Sequence, residues 1–299
     1  MPIIQKGKKT LTQRNSQELD PFVERLASLF LRECGCPYGQ GGKASPEPTI
    51  LSLIALFAAG SYEDKANSLI PWILKHQTEN GSIGINPMNY GWGTWLSAHF
   101  AVFCHHYRLR SHLENAMRFL QSFRSVTLPR DPKAKQDNSI VGWPWVPGTF
   151  GWVEPTAWAV IAFNLCGMEQ NPRALEGRRF LLDRCIPSGG WNYGNAELND
   201  RELLPFWDTT ALALLALQGT AEEKRLSLSL ELLEKNQDKI NSLLGAAWTL
   251  LALKVYGRDT GRLRSKLISV MQTLNDDDFN AAHYAIGVIA LSGKRVLTP

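Results

Sequence analysis

The sequence has no apolar run long enough to cross a bilayer. Its longest, residues 50–59, is about half of the roughly 20 residues a spanning helix needs. No secretory leader pattern is read at the start. Cysteine is scarce and odd in number: Cys34, Cys36, Cys104, Cys166 and Cys185. That excludes a dense disulfide framework and reads as free thiols in a reducing compartment, so a cytoplasmic location is expected. Cys34-Gly35-Cys36 lacks the second Cys or His pair that would complete a zinc site. Charge is also modest, 20% of residues with a net +4. Without a concentrated basic patch, nucleic acid is not an expected partner. The one cluster of a single sign is Lys6, Lys8, Lys9 and Arg14. It lies in a polar start, residues 1–16, expected to be a flexible tail ahead of one domain spanning 17–299. A peripheral contact with anionic lipid is the alternative for that tail.

What the chain has in abundance is repetition. Glu47-Pro48-Thr49 begins an apolar run ending at Gly60. Glu154-Pro155-Thr156 begins another ending at Gly167, and Asp208-Thr209-Thr210 a third ending at Gly219. Weaker copies start at Gly93-Thr94, Leu243 and Asn280. The three clearest open on an acid and a hydroxyl suited to capping a first helical turn, with proline just inside two of them. Each then turns apolar on every side, as a helix buried all round must be. Amphipathic stretches are expected as outer helices near 17–34, 64–77, 111–124, 173–185, 222–236 and 260–274. Alternation at 226–230 hints at a strand, but the flanking charge and the length favour helix. Six apolar helices alternating with six amphipathic ones predict an all-α fold, a single (α/α)6 toroid with the apolar helices inside.

Loops ahead of the inner helices are expected to gather at one end of this barrel. They carry glycine and aromatic residues: Trp92 and Trp95; Trp143, Trp145 and Trp152; Trp191 and Tyr193; Phe206 and Trp207. Seven of the ten tryptophans fall in these loops or the first turns after them. Core packing explains any one of them, but an aromatic-lined cavity better explains the crowding. Glu154 and Asp208 open two inner helices beside these rings and are the candidate catalytic residues. Either serves as a helix cap if solvated, and as an acid if it faces a dry cavity. The Asp276-Asp277-Asp278 run reads as a capping and turn cluster.

Gln77 to Gly81 and Gly189-Gly190-Trp191 resemble worn copies of the glutamine–tryptophan repeat of squalene-hopene and oxidosqualene cyclases. Ile83 replaces the tryptophan in the first copy, and Arg184 or Cys185 stands in place of glutamine in the second. At the level of repeats the resemblance spans about residues 45–293 and points to the terpenoid cyclase and prenyltransferase superfamily. It implies an α/α toroid in which Asp208, before Thr209-Thr210-Ala211, matches the proton donor. The partner it implies is a small hydrophobic isoprenoid, with Trp92, Trp95, Trp143, Trp145, Trp152, Trp191, Tyr193, Phe206, Trp207 and His283 around it. The protein prenyltransferases share the toroid and bind zinc through Asp, Cys and His. Here Asp208 and His283 match, but Thr210 stands where cysteine is needed, so neither a metal nor another cofactor is expected.

The leading expectation is therefore acid-initiated carbocation cyclisation of an isoprenoid. A second reading is a carbohydrate-active toroid using Glu154 and Asp208 as acid and base, with aromatic rings stacked on sugars. A solvent-open groove with the two carboxylates facing each other would favour it. A third is a non-catalytic binding toroid, favoured by a filled barrel centre. Fold alone does not choose among them.

Overall fold

The computed structural model describes residues 11–30, 34–84, 93–220 and 223–299. Among the described residues twelve α-helices alternate between two rings. The inner ring is α2 (Pro46–Ala59), α4 (Thr94–His106), α6 (Val153–Leu165), α8 (Trp207–Ala216), α10 (Leu243–Val255) and α12 (Ala281–Ser292). Each packs on the next, and α12 closes the circle against α2. The outer ring is α1 (Leu11–Ser28), α3 (Glu63–Leu74), α5 (Arg110–Ser122), α7 (Pro172–Asp183), α9 (Glu223–Lys235) and α11 (Gly261–Thr273). The expected all-α toroid is thus the fold. Its only strands among the described residues are two-residue hairpins in the loops, β1 (Cys36–Pro37) with β2 (Ala44–Ser45) and β3 (Glu197–Leu198) with β4 (Arg201–Glu202).

The largest departure from the expected boundaries, 17–34, is in α1, and α3 also ends three residues before the expected 77. Helix α1 starts at Leu11 and ends at Ser28, well before the expected limit of residue 34. Gly35 has φ +85, and Cys36 is paired in β1, so the chain must already be extended there. Lys6, Lys8 and Lys9 lie outside the described residues. No helix among the described residues is long and apolar enough to cross a membrane.

The repeated Thr or Ser has a role that differs from capping. It is the fourth residue of its helix, and it latches the preceding loop to the ring. The hydroxyl oxygens of Thr49, Ser97, Thr156 and Thr210 accept the backbone N–H of Cys36, Ile83, Trp143 and Trp191 at 2.8, 3.1, 2.9 and 2.9 Å. All four latched residues are fully buried. The residue before three of them is glycine because a side chain there would strike the hydroxyl: a Cβ on Gly190, at φ +86, would lie 2.9 Å from Thr210 Oγ1 and 2.7 Å from Pro205 Cβ. The first amides of the inner helices, which have no intrahelical partner, go to the neighbouring repeat. Thr94 N–H donates to Trp145 O, Val153 N–H to Tyr193 O and Ala281 N–H to Tyr38 O. Each such bond ties one helix start to the loop beside it, fixing the rim of the barrel.

Candidate active site

The latch decides where the carboxylates point. Successive helical residues are about 100° apart, so residues two apart lie on nearly opposite sides. With the fourth residue turned outward to its loop, the second is turned over the barrel axis. Those second residues are Glu47 in α2, Trp95 in α4, Glu154 in α6 and Asp208 in α8. Neither Glu154 nor Asp208 is therefore an N-cap. Trp152 and Phe206 occupy those positions, and neither caps through its side chain.

The three acids share one electrostatic environment. Burial pushes the Glu154 carboxyl up to about 8, and the negative charges of Asp208 and Glu47 push in the same direction. A helix N-terminus stabilises an anion by only about 0.3–1 kcal/mol at an exposed site, too little to offset this loss of water. Asp208 is half-buried, and its Oδ1 accepts the Thr209 N–H at 2.9 Å. Glu47 is held by two donors, Trp95 Nε1 at 3.2 Å and the Tyr38 hydroxyl. Nothing in the sequence reading marked Glu47 as more than a repeat marker, although its position before Pro48-Thr49 is the same as that of Glu154 before Pro155-Thr156. Across the mouth, His283 sits exposed within reach of Glu47 and Asp208. Lost solvent lowers its pKa more than those two anions raise it. The Tyr193 phenol is raised by partial burial and by Asp208 and Glu154.

One turn below the mouth the barrel is closed. His99, Trp158 and Trp248 follow four residues after the second positions of α4, α6 and α10, so they also point inward. Trp158 meets His99 edge-on at 4.0 Å and Trp248 edge-on at 5.5 Å between ring centroids. All three are buried. Neither ring nitrogen of His99 has a hydrogen-bond partner, and burial lowers its pKa to about 3. These three rings form an aromatic layer beneath the carboxylates.

The expected aromatic set divides. Trp152, Tyr193 and Phe206 stand exposed on the lip, with Tyr193 and Phe206 stacked at 4.5 Å. Trp95, which donates to Glu47, meets Trp145 edge-on with the ring centroids 5.0 Å apart, and both are half-buried. Trp207 is half-buried against the core beside Gly245 of α10. Trp143 and Trp191 do not line the mouth. Their indoles run out between the rings and donate to Leu120 O and Leu181 O of outer helices α5 and α7. Trp92 lies outside the described residues. Among the described residues no group of three His, Cys, Asp or Glu is placed to hold a metal ion.

No protein-family model matches the chain, and no curated protein matches it in sequence. Solved structures do match in fold. An α-amylase from Clostridium perfringens aligns over 97% of this chain and 100% of its own, with 10% identity and a TM-score of 0.68. A family 76 glycoside hydrolase (mannosidase) from Bacteroides thetaiotaomicron aligns over 95% and 98%, with 12% identity and a TM-score of 0.62. An inactive variant of an α-1,6-mannanase from a Salegentibacter species, with two aspartates replaced and α-1,6-mannotriose bound, aligns over 95% and 99%, with 12% identity and a TM-score of 0.66. At such identities the likeness shows the toroid. The expectation of an isoprenoid cyclase is corrected here. Its chemistry needs a substrate enclosed among aromatic faces, whereas His99, Trp158 and Trp248 fill the axis, and the toroids that match end to end carry glycosidase names. A hydrophobic isoprenoid partner is withdrawn with it.

Proposed function

We propose that this toroid is a carbohydrate-active enzyme that hydrolyses glycosidic bonds at the barrel mouth. The observation that carries the proposal is the pairing of Glu154, whose carboxyl burial pushes up to about 8, with Asp208 at the same position of the adjacent helix, beside the exposed rings of Trp152, Tyr193 and Phe206. Glycoside hydrolysis needs one carboxyl to protonate the leaving oxygen and a second to activate water or attack the anomeric carbon. Glu154 takes the first role, because its raised pKa leaves the proton available. Asp208 takes the second. Glu47, fixed by Trp95 and Tyr38, accepts a sugar hydroxyl, and the exposed faces of Trp152 and Tyr193 stack on the C–H faces of pyranose rings. The mannanase relative lends support, since its inactive form has two carboxylates replaced and a mannotriose bound.

The test is incubation of the pure protein with α-linked manno- and gluco-oligosaccharides, followed by mass spectrometry of the products. Shortened chains are expected, and Glu154→Gln is expected to slow their formation by about 10²–10⁴-fold. Intact oligosaccharides after long incubation would overturn hydrolysis. The filled barrel centre favours a second reading, a toroid that binds sugar without cleaving it. Binding without products would establish that one.

A further inference from the structure

Beside the mouth lies a pocket of about 400 Å³ that the paired carboxylates do not account for. Its walls are the loops leading into α6 and α8, the helices that carry Glu154 and Asp208. One wall presents ring faces: Phe150, Trp152 and Tyr193 are 49%, 37% and 43% exposed, a cluster of apolar surface that a chain seldom leaves in water without use. The opposite edge is amide. Gln136 Nε2 bridges the two loops by donating to Asn195 Oδ1 at 2.8 Å, and it also reaches Asn138 Oδ1 at 3.3 Å. The side-chain nitrogens of Asn138 and Asn195 donate to nothing within the described residues, and Gln136 Oε1 is buried without a partner.

We infer that this pocket is a subsite for an uncharged sugar unit, so that the substrate is an oligosaccharide running from the Glu154–Asp208 pair outward over Trp152 and Tyr193 into the amide-edged pocket. The inference rests on the carbohydrate reading of the mouth. Continuity supports it. Trp152 and Tyr193 belong to both places, and the Tyr193 carbonyl accepts the first N–H of α6 at 2.7 Å, so the pocket wall and the helix bearing Glu154 move as one piece. Chemistry supports it as well. A pyranose offers an apolar C–H face and an edge of hydroxyls that both donate and accept, matching rings on one side and amides on the other. A lipid chain would strip water from the amide nitrogens and give nothing back. A charged ligand finds only Arg184, whose guanidinium is already bound to Asp183, Asn138 Oδ1 and the Asp137 carbonyl and lies over the Phe180 ring.

The full chain carrying Glu154→Gln, which holds substrate without turnover, tests this by calorimetric titration with two series, malto-oligosaccharides and α-1,6-manno-oligosaccharides, each from two to five units. In one of them the affinity is expected to rise by about tenfold as the chain lengthens beyond the units held at the mouth. Adding Phe150→Ala or Asn195→Ala, both at exposed positions, is expected to erase that gain while leaving the shortest sugar bound as before. Equal affinity at all lengths, or a length gain that both substitutions leave intact, overturns the subsite but leaves the mouth as a sugar site. Failure of every sugar to bind overturns the carbohydrate reading itself and the subsite with it.

Discussion

Trp191 and Thr210 are joined in both directions: the Trp191 amide donates to Thr210 Oγ1 at 2.9 Å, and the same hydroxyl lies 3.4 Å from the Trp191 carbonyl that it donates to. Trp143 and Thr156 repeat the arrangement at 2.9 and 3.4 Å. Thr210→Val keeps the shape and removes the acceptor, leaving a buried N–H with no partner. It is expected to destabilise the fold by about 1–3 kcal/mol, whereas Thr210→Ser retains the oxygen and costs less. Denaturant unfolding of the two variants beside the parent measures the difference. A valine loss no larger than the serine loss would mean that the hydroxyl acceptor is not what holds the latch.

Gly190 belongs to the same latch. Its φ of +86 and the closeness of Pro205 Cβ leave no room for a side chain. Gly190→Ala is expected to cost more than Thr210→Val, since backbone strain and overlap add. Thermal melting should place it well below the valine variant.

Glu154 makes stability depend on pH in a defined direction. Between its ordinary value of 4.5 and about 8 the folded chain holds a proton that the unfolded chain releases. Stability therefore falls as pH rises through that window, and the cost is complete above about 8. Glu154→Gln, neutral at every pH, is expected to melt higher than the parent, by a margin that grows from pH 5 to pH 9 and reaches the order of a few kcal/mol. The same proton predicts that the glycosidase turnover proposed above declines above about pH 8. A margin that does not change with pH would mean the carboxyl is ionised in the folded state.

His99 acts in the opposite sense. The folded chain refuses a proton until about pH 3, while the unfolded chain accepts one near 6.5. Stability is thus lost as pH falls from 6.5 towards 3. His99→Phe keeps an aromatic ring against Trp158 and removes two unpartnered nitrogens. Its melting temperature is expected to equal or exceed the parent's at pH 7 and to exceed it further at pH 4. A variant as acid-sensitive as the parent would place the titration elsewhere.

The ring of helices was legible because it is written in short-range pattern. Thr49, Thr156 and Thr210 recur in register, and four of the six outer helices lie within two residues, at both ends, of where charge and apolar periodicity place them. The roles inside the pattern were not legible, because they depend on which way a side chain turns. Trp143 and Trp152 look alike in sequence, yet one is latched into the wall and the other stands on the lip. Asp208 reads as a cap because acids favour helix starts. Only the latch at Thr210 fixes it at the second position, over the axis. His99, Trp158 and Trp248 sit within runs that are apolar on all sides, where no periodicity separates the lumen from the wall. The pocket edged by Asn138 and Asn195 joins two loops far apart in sequence, and no local pattern brings them together.

The rings of His99, Trp158 and Trp248 also set the traffic of this molecule. Among the described residues these three buried rings occupy the axis one turn below the mouth, and the pocket beside His106 and Lys294, both packed on Phe57, lies apart from it. On the carbohydrate reading proposed above, a sugar chain would meet Glu154 and Asp208 where it drapes across the rim, and would leave by the side it entered.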